Sequence, residues 1–180
     1  MRSDSEIAGL LERAIGGESE AFGEIYDVYL DRIYRYVFHH VRDKMMAEDV
    51  TEEVFLKAWE RIESCKGREQ TFLAWLYRIA HNQMIDHVRS RQKYLSADMD
   101  NVPDTDDLET EVEAKLEWQE VLEAISCLPE RQKQVITLKF AEGLDNREIG
   151  LITGKRQGAV RILQMRALAT LRRSLARQKQ

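Results

Sequence analysis

Residues 145–161 read D-N-R-E-I-G-L-I-T-G-K-R-Q-G-A-V-R, and this stretch decides the fold of its part of the chain. Asp145 stands where a helix N-cap belongs, and Glu148 follows at the spacing of a reciprocal capping box. Ile149 and Ile152 would share the inward face of a short helix, which Gly154 can end in a tight turn. A second helix follows, so the pattern predicts a helix-turn-helix.

The helix after the turn is expected to bind duplex DNA. Every charged residue from Lys155 to Gln180 is basic. In a helix-turn-helix, the N-terminal part of the second helix enters the major groove. The positions expected nearest base edges are Arg156, Gln157, Arg161 and Met165, those expected nearer phosphates are Lys155, Arg166 and Arg172, and Gly158 and Ile162 belong to the same surface. A basic amphipathic helix on a solvated surface is the alternative.

The rest of the chain has the periodicity of helices. Its 180 residues include nine Gly and two Pro, and no long stretch alternates with period two. Apolar residues recur at helical spacing in residues 7–14, 22–41 and 50–62, and a further helix is expected from about residue 70 to 93. Later helices are expected at 108–126, at 129–142, where Val135, Ile136, Leu138 and Phe140 would form the core, at 146–153, and at 157–176 with a buried stripe of Val160, Leu163, Ala167, Leu168 and Leu171.

A change of composition divides these helices into two groups. Residues 96–110 are polar and acidic, include Pro103 and have almost no core-forming side chains. Such a segment is typical of a linker, and its like charges should keep it extended. We therefore predict an all-α fold in which two small helical domains, residues 1–94 and 111–180, are joined by an extended acidic linker, residues 95–110.

Two helices of the first domain have unusual faces. In residues 75–89, W-L-Y-R-I-A-H-N-Q-M-I-D-H-V-R, one face collects Trp75, Arg78, Asn82, Asp86 and Arg89. It could stack on an unpaired base and bind its edge, or it could be a core-boundary tryptophan beside an ordinary polar face. An acidic helix with large apolar residues precedes it and fits a protein partner, or is an ordinary amphipathic helix. Its residues in question are Glu48, Asp49, Glu52, Glu53, Phe55, Leu56 and Trp59.

Several classes of protein are not expected. The net charge of −5 does not exclude a nucleic-acid-binding protein, because acidic residues are concentrated in the linker and basic residues in the C-terminal segment. No stretch is apolar enough to span a membrane, and the N-terminus lacks the apolar core of a signal peptide, so a cytoplasmic location is expected. Cys65 and Cys127 are far apart, and no cysteine or histidine cluster has metal-ligand spacing. We expect no catalytic residues, no metal and no cofactor, and thus no enzyme.

The acidic helix, the helix with the mixed polar face and the helix-turn-helix follow one another along the chain. In this order they resemble the extracytoplasmic-function (ECF) sigma factors of the bacterial sigma-70 family, over about residues 21–175. A-E-D-V-T-E-E-V-F-L-K-A-W (47–59) is similar to region 2.2, and F-L-A-W-L-Y-R-I-A-H-N-Q-M-I-D-H-V-R (72–89) to regions 2.3 and 2.4. L-P-E-R-Q-K-Q-V-I-T-L-K-F (128–140) resembles region 4.1, and residues 146–161 resemble region 4.2. Gly150, Thr153 and Ala159 depart from the usual residues, and Arg156-Gln157 is atypical.

The resemblance implies a sigma factor, which is not an enzyme and needs no cofactor. It implies that the acidic helix docks on the clamp helices of the largest RNA polymerase subunit and that the second domain meets the flap of the second-largest subunit. It also implies reading of the single-stranded minus-ten element, with Lys66 and Arg68 in a loop that holds a flipped base, and of the minus-thirty-five duplex.

An anti-sigma factor is a further expected partner, and no membrane insertion is expected. The alternative function is a dimeric helix-turn-helix transcriptional regulator, which would form a stable homodimer and bind palindromic sites.

Overall fold

The computed structural model describes residues 3–65, 71–95 and 121–178. Within these ranges all regular structure is helical. The chain divides into two compact units, Met1–Val102 and Pro103–Gln180. The all-α prediction is therefore confirmed. The predicted linker, apart from Leu95 at the end of a helix, lies outside the described residues.

Unit 1 contains four α-helices: α1 (Asp4–Ile15), α2 (Ser19–Val41), α3 (Lys44–Glu60) and α4 (Phe72–Leu95). A short 3₁₀ helix, Ile62–Cys65, follows α3. Local chemistry sets the junctions: Ser3 and Glu6 form a capping box on α1, and Asp43 caps α3 by accepting from the Met46 amide at 3.0 Å.

The core of unit 1 is built from the stripes that the sequence predicts. Helix α2 packs against α1, α3 and α4, and α3 packs against α4. Because apolar residues recur at helical spacing, each helix turns one continuous face inward. The largest fully buried side chains of this unit are Leu11, Ile25, Ile33, Tyr36, Val37, Val50, Phe72, Leu76, Tyr77 and Met84.

Unit 2 holds the predicted helix-turn-helix. Residues 121–126 are helical (α5), and the remainder of the helix predicted from residue 108 lies outside the described residues. Pro129 is the N-cap of α6 (Glu130–Ile136), which continues as a π-helical turn, Thr137–Ala141. Helices α7 (Asn146–Thr153) and α8 (Gln157–Gln178) follow, and α8 packs against both α6 and α7.

Two core assignments in unit 2 are wrong. Phe140 is 65% exposed, because Leu138 fills the core and a residue two positions later in a helical turn points away from it. Leu168 is 40% exposed, because the neighbouring Ala167 occupies the position that faces the core. Val135, Ile149 and Val160 are fully buried as predicted, whereas Leu163 and Leu171 are only partly buried.

Candidate nucleic-acid and polymerase interfaces

The exposed face of α4 has the predicted composition. Arg78, Asn82, Asp86 and Arg89 are all exposed, while Leu76, Ala80 and Met84 on the opposite side are buried. Trp75 is half-buried at one end of the exposed face. The face therefore offers an aromatic ring, an amide, a carboxylate and two guanidinium groups to solvent.

Aromatic packing holds Trp75 in place. Its ring lies 5.6 Å from that of Phe72, and Phe72 in turn lies 5.7 Å from Tyr29 of α2. Contacts of this length are favourable and restrict the rotamers of the rings involved. Trp75 is thus supported from the core while part of its surface remains accessible. Lys66 and Arg68, which the resemblance adds to this site, lie outside the described residues.

The acidic face of α3 is narrower than the sequence suggests. Glu48, Asp49 and Glu52 are exposed, and Leu56 stands among them with 59% of its surface exposed. Phe55, by contrast, is 3% exposed. The exposed surface of α3 consequently combines carboxylates with Leu56.

Two large residues assigned to that face turn inward. The ring of Phe55 packs edge-on against Tyr26 at 4.7 Å, and Trp59 is half-buried with its ring 5.0 Å from Phe22. The prediction that Phe55 contacts a partner is corrected, because its side chain belongs to the packing between α2 and α3. Trp59 can therefore contact a partner only through the part of its side chain that is exposed.

Glu53 is bound by side chains of α4. Gln83 donates from Nε2 to Glu53 Oε2 at 2.5 Å, and His87 Nε2 lies 3.0 Å from the same oxygen. Lys57 donates from its ammonium to Oε1 of Gln83. The hydrogen bond from His87, with smaller contributions from the His87 charge, Gln83 and Lys57, lowers the pKa of Glu53 below its ordinary value although partial burial opposes this.

Sequence reasoning did not find this cluster. Glu53 and Lys57 are four residues apart on α3, and Gln83 and His87 are four apart on α4, so each pair lies along one side of its helix. That spacing is the signal that was available. It does not reveal that the two sides face each other, which depends on how α3 packs on α4.

The capping box that opens the helix-turn-helix is present. Asp145 accepts from the amides of Arg147 at 2.7 Å and Glu148 at 2.8 Å, and Glu148 accepts from the Asp145 amide at 2.7 Å. The Glu148 amide, followed by that of Arg147, lowers the pKa of the Asp145 carboxyl. The cap therefore works best with Asp145 ionised.

The chain between α7 and α8 passes unusually close to the backbone of α7. Gly154 ends α7 in the left-handed conformation with φ of 67°. One turn earlier, a Cβ on Gly150 would lie 2.7 Å from the carbonyl oxygen of Lys155, too close for an unstrained contact. Glycine at position 150, one of the departures from the family pattern, therefore matches the path of this chain's own turn.

Helix α8 presents most of its predicted DNA-facing residues to solvent. Exposed positions are Arg156, Gln157, Gly158, Arg161, Ile162, Met165 and Arg166, and Lys155 is intermediate. Two of them are apolar, since Ile162 is 49% and Met165 is 69% exposed. Gln164 fixes α8 to α7 by donating to Asn146 Oδ1 at 2.8 Å.

The described residues hold no grouping of three or more His, Cys, Asp or Glu that could bind a metal ion. Among the same residues no helix is both long and apolar enough to cross a membrane. His81 is half-buried, its Nδ1 lies 3.3 Å from the Tyr36 hydroxyl, and burial lowers its pKa. Its contact is with the aromatic core of unit 1, which assigns it to packing.

Comparison with known proteins matches both units. Residues 25–94 match the family model of sigma-70 region 2, and residues 118–171 match that of sigma-70 region 4. The chain is 38% identical over 178 residues to the ECF RNA polymerase sigma factor BldN of Streptomyces coelicolor, covering 96% of this chain and 67% of that protein. It is 29% identical over 181 residues to the ECF RNA polymerase sigma factor SigK of Mycobacterium tuberculosis, covering 97% and 96%.

Two solved structures share the fold. CnrH in complex with the cytosolic domain of CnrY superposes with a TM-score of 0.73 at 23% identity, covering 95% of this chain and 97% of CnrH. RpoE from Bartonella quintana, in complex with the anti-sigma factor NepR, gives 0.69 at 21% identity, covering 86% and 96%. At these identities the similarity is one of architecture.

Proposed function

We propose residue roles for this chain, which belongs to the ECF group of the sigma-70 family and is an RNA polymerase sigma factor. In the proposal, α3 of unit 1 docks on core RNA polymerase and α4 reads and opens the minus-ten element. Helix α8 of unit 2 binds the minus-thirty-five duplex. The domains would be residues 1–94 and 111–180, with residues 95–110 as the linker between them.

The exposed face of α8 is the observation that carries the duplex-binding role. It collects basic side chains without any acid, and it follows a capped helix and a tight glycine turn. Basic side chains gain affinity for DNA by displacing counterions from phosphates. Arg161 has the side chain best suited to a bidentate contact with a guanine, and Ile162 and Met165 can pack on thymine methyl groups.

The face of α4 supports a role in holding unpaired bases. Trp75 can stack on a base, Asn82 and Asp86 can bind its edge, and Arg78 and Arg89 can contact the backbone. Bases in duplex DNA are stacked and paired, so a face of this kind gains most when the strand has separated. Lys66 and Arg68 are proposed to assist from the loop before α4.

The acidic face of α3 is proposed to bind the clamp helices of the largest polymerase subunit. Glu48, Asp49 and Glu52 lie on the same side of α3 as Leu56, and a surface of carboxylates beside an apolar side chain suits a basic protein surface with an apolar pocket. Unit 2 is proposed to contact the flap of the second-largest subunit. Since these partners act on chromosomal DNA, we infer a cytoplasmic location and a role as a binding factor without catalysis of its own.

An anti-sigma factor is proposed as a further partner. Relatives of the same architecture occur in complexes with NepR and with the cytosolic domain of CnrY. The alternative function, a dimeric helix-turn-helix regulator, is not favoured because residues 25–94 match sigma-70 region 2. Such a regulator would have no use for that unit.

Reconstitution tests the proposal. Purified protein is added to core RNA polymerase, complex formation is measured by size-exclusion chromatography, and run-off transcripts from genomic fragments are sequenced. We expect a one-to-one complex and transcripts that share two upstream elements. Failure to bind core polymerase, or a free homodimer that selects palindromic sites, would contradict the proposal. Core polymerase alone is the control for background initiation.

A further inference from the structure

We propose that Gln83 is a positioning residue, which fixes the base-reading face of α4 against the polymerase-docking helix α3. In the same proposal Glu53 is an internal link between the two helices and not a polymerase contact. The inference rests on the proposed functions of α3 and α4. It concerns how firmly the base-reading face of α4 is held in position relative to the docking face of α3.

The Gln83 amide is almost completely enclosed and both of its ends are used. Its side chain belongs to a residue that is 5% exposed. Nε2 donates to Glu53, and Oε1 accepts from Lys57. A buried polar group that loses its partner costs more free energy than the bond contributes, so a slide or rotation of α4 that breaks these bonds is opposed.

A second contact from α4 restricts the helix further. His87 lies one turn after Gln83 on α4 and approaches the same carboxylate at 3.0 Å. Two contacts one turn apart oppose both a rotation of α4 about its axis and a shift along that axis. Glu53 is thus bound by α4 although 43% of its side chain is exposed, whereas the neighbouring Glu52 is exposed and directed away from this cluster along the docking face.

The hydrogen-bonded residues are close neighbours in sequence of the residues proposed to bind DNA and polymerase. Gln83 directly follows Asn82 and precedes Asp86 by three positions, and Glu53 directly follows Glu52 and precedes Leu56 by three. Neighbouring positions on a helix point about 100° apart, so the orientation of Gln83 sets that of Asn82. Recognition of a base requires placement to about 0.5 Å, which a loose α4 could not maintain while the duplex resists separation.

Two substitutions, made singly and together, test the link in the free protein. Gln83→Glu places a second carboxylate beside Glu53, and Glu53→Gln with Gln83→Glu restores a donor–acceptor pair with the roles exchanged. Thermal unfolding of both single variants and the double variant forms a double-mutant cycle. We expect Gln83→Glu to lower Tm and the double variant to recover most of the loss. A cycle without coupling would overturn the link.

Open-complex formation with core polymerase tests what the link does. On duplex promoter DNA we expect Gln83→Glu to slow opening about tenfold, the change that follows from losing a hydrogen bond to a charged group. On a template already melted across the minus-ten element we expect wild-type activity, because the separated strand no longer resists placement. The double variant should recover opening on the duplex. A merely structural defect would lower activity equally on both templates.

Glu52→Gln is the matched comparison, since it changes an exposed acid of the docking face. We expect it to weaken core binding and therefore to lower activity on both templates. If the wild-type protein opens promoters but Gln83→Glu matches it on the duplex, the positioning role is wrong and the proposed function stands. If the wild-type protein opens no promoter with core polymerase, both are wrong. A loss of core affinity in the double variant would show Glu53 to be a polymerase contact.

Discussion

The two helices proposed to meet DNA, α4 and α8, are supported in different ways. Two contacts hold the functional side chains of α4 in place. The ring of Trp75 packs on that of Phe72, and Gln83, the residue after Asn82, is hydrogen-bonded to α3. Helix α8 is joined to α7 by the hydrogen bond from Gln164, and its proposed contacts project freely. The face of α4 carries charges of both signs, whereas every charged residue on the face of α8 is basic.

The difference reflects the state of the DNA that each helix is proposed to bind. A duplex is stiff and highly charged, so a projecting basic helix can dock against a shape that is already fixed. A separated strand is flexible, and the protein must supply the fixed shape itself. A supported aromatic ring and an internally bonded helix provide that shape. Because the face of α4 carries charges of both signs, it attracts DNA phosphates less strongly than the face of α8 does.

The largest effect is expected for Trp75→Ala. Stacking of one base on an aromatic side chain contributes about 1–3 kcal/mol, and the substitution also removes the ring that packs on Phe72. Holoenzyme should bind a single-stranded minus-ten oligonucleotide up to about a hundredfold more weakly, as measured by fluorescence anisotropy. Phe38→Ala, which removes an exposed aromatic ring of α2, is the control and should have no effect. Equal weakening on a minus-thirty-five duplex would contradict the division between the helices.

Arg161→Ala should affect only the duplex. If Arg161 makes a bidentate base contact, its loss costs about 1–3 kcal/mol and relaxes preference at one base pair. Binding of duplexes substituted at each minus-thirty-five position would be compared for the two proteins. Arg173→Ala, an exposed arginine farther along α8, should lower affinity less and without changing preference. Unaltered preference in the Arg161 variant would reject its assignment.

Gly150→Ala should loosen the turn that presents α8. The added Cβ would lie 2.7 Å from the Lys155 carbonyl, and relief of such overpacking costs at least about 1 kcal/mol. Hydrogen exchange of peptides from α7 and α8 should become faster, while peptides from α4 keep their protection. Gly23→Ala is the matched control: this helical glycine has open space around it, so the substitution should stabilise α2 slightly. Unchanged exchange in α7 would show that the turn adjusts without strain.

The smallest effect concerns acid. The pKa of Glu53 is lower in the folded protein than the ordinary value of 4.5, chiefly through the hydrogen bond from His87. Its contribution to stability is therefore complete above pH 4.5 and declines as pH falls through the lowered pKa. The Tm of wild type should drop more steeply than that of Glu53→Gln over this range. Parallel curves would mean that the carboxylate gains nothing from its partners in α4.

Part of the site was accessible from sequence because it depends on local chemistry. The capping box at Asp145, the turn at Gly154 and the exposed face of α4 follow from spacing along one helix or across one turn, and all are present. The apolar stripes of α1 to α3 follow from the same helical periodicity. Residue type and helical period suffice for such features.

Tertiary packing decided the rest. The acidic composition of α3 and the family resemblance assigned Phe55 to a partner surface, and periodicity assigned Phe140 to the core, yet Phe55 packs on Tyr26 and Phe140 is exposed. No local pattern could show that Glu53 and Gln83 meet, because thirty positions separate them and only the packing of α3 on α4 brings them together.

The sequence by itself thus determined which residues form helices, which family the chain resembles and which faces are polar. Only the tertiary structure decided which of those polar residues are free to bind and which are held by another helix. The physical reason is range: capping, turns and periodicity act within a few residues, whereas burial and side-chain pairing depend on elements that meet after folding.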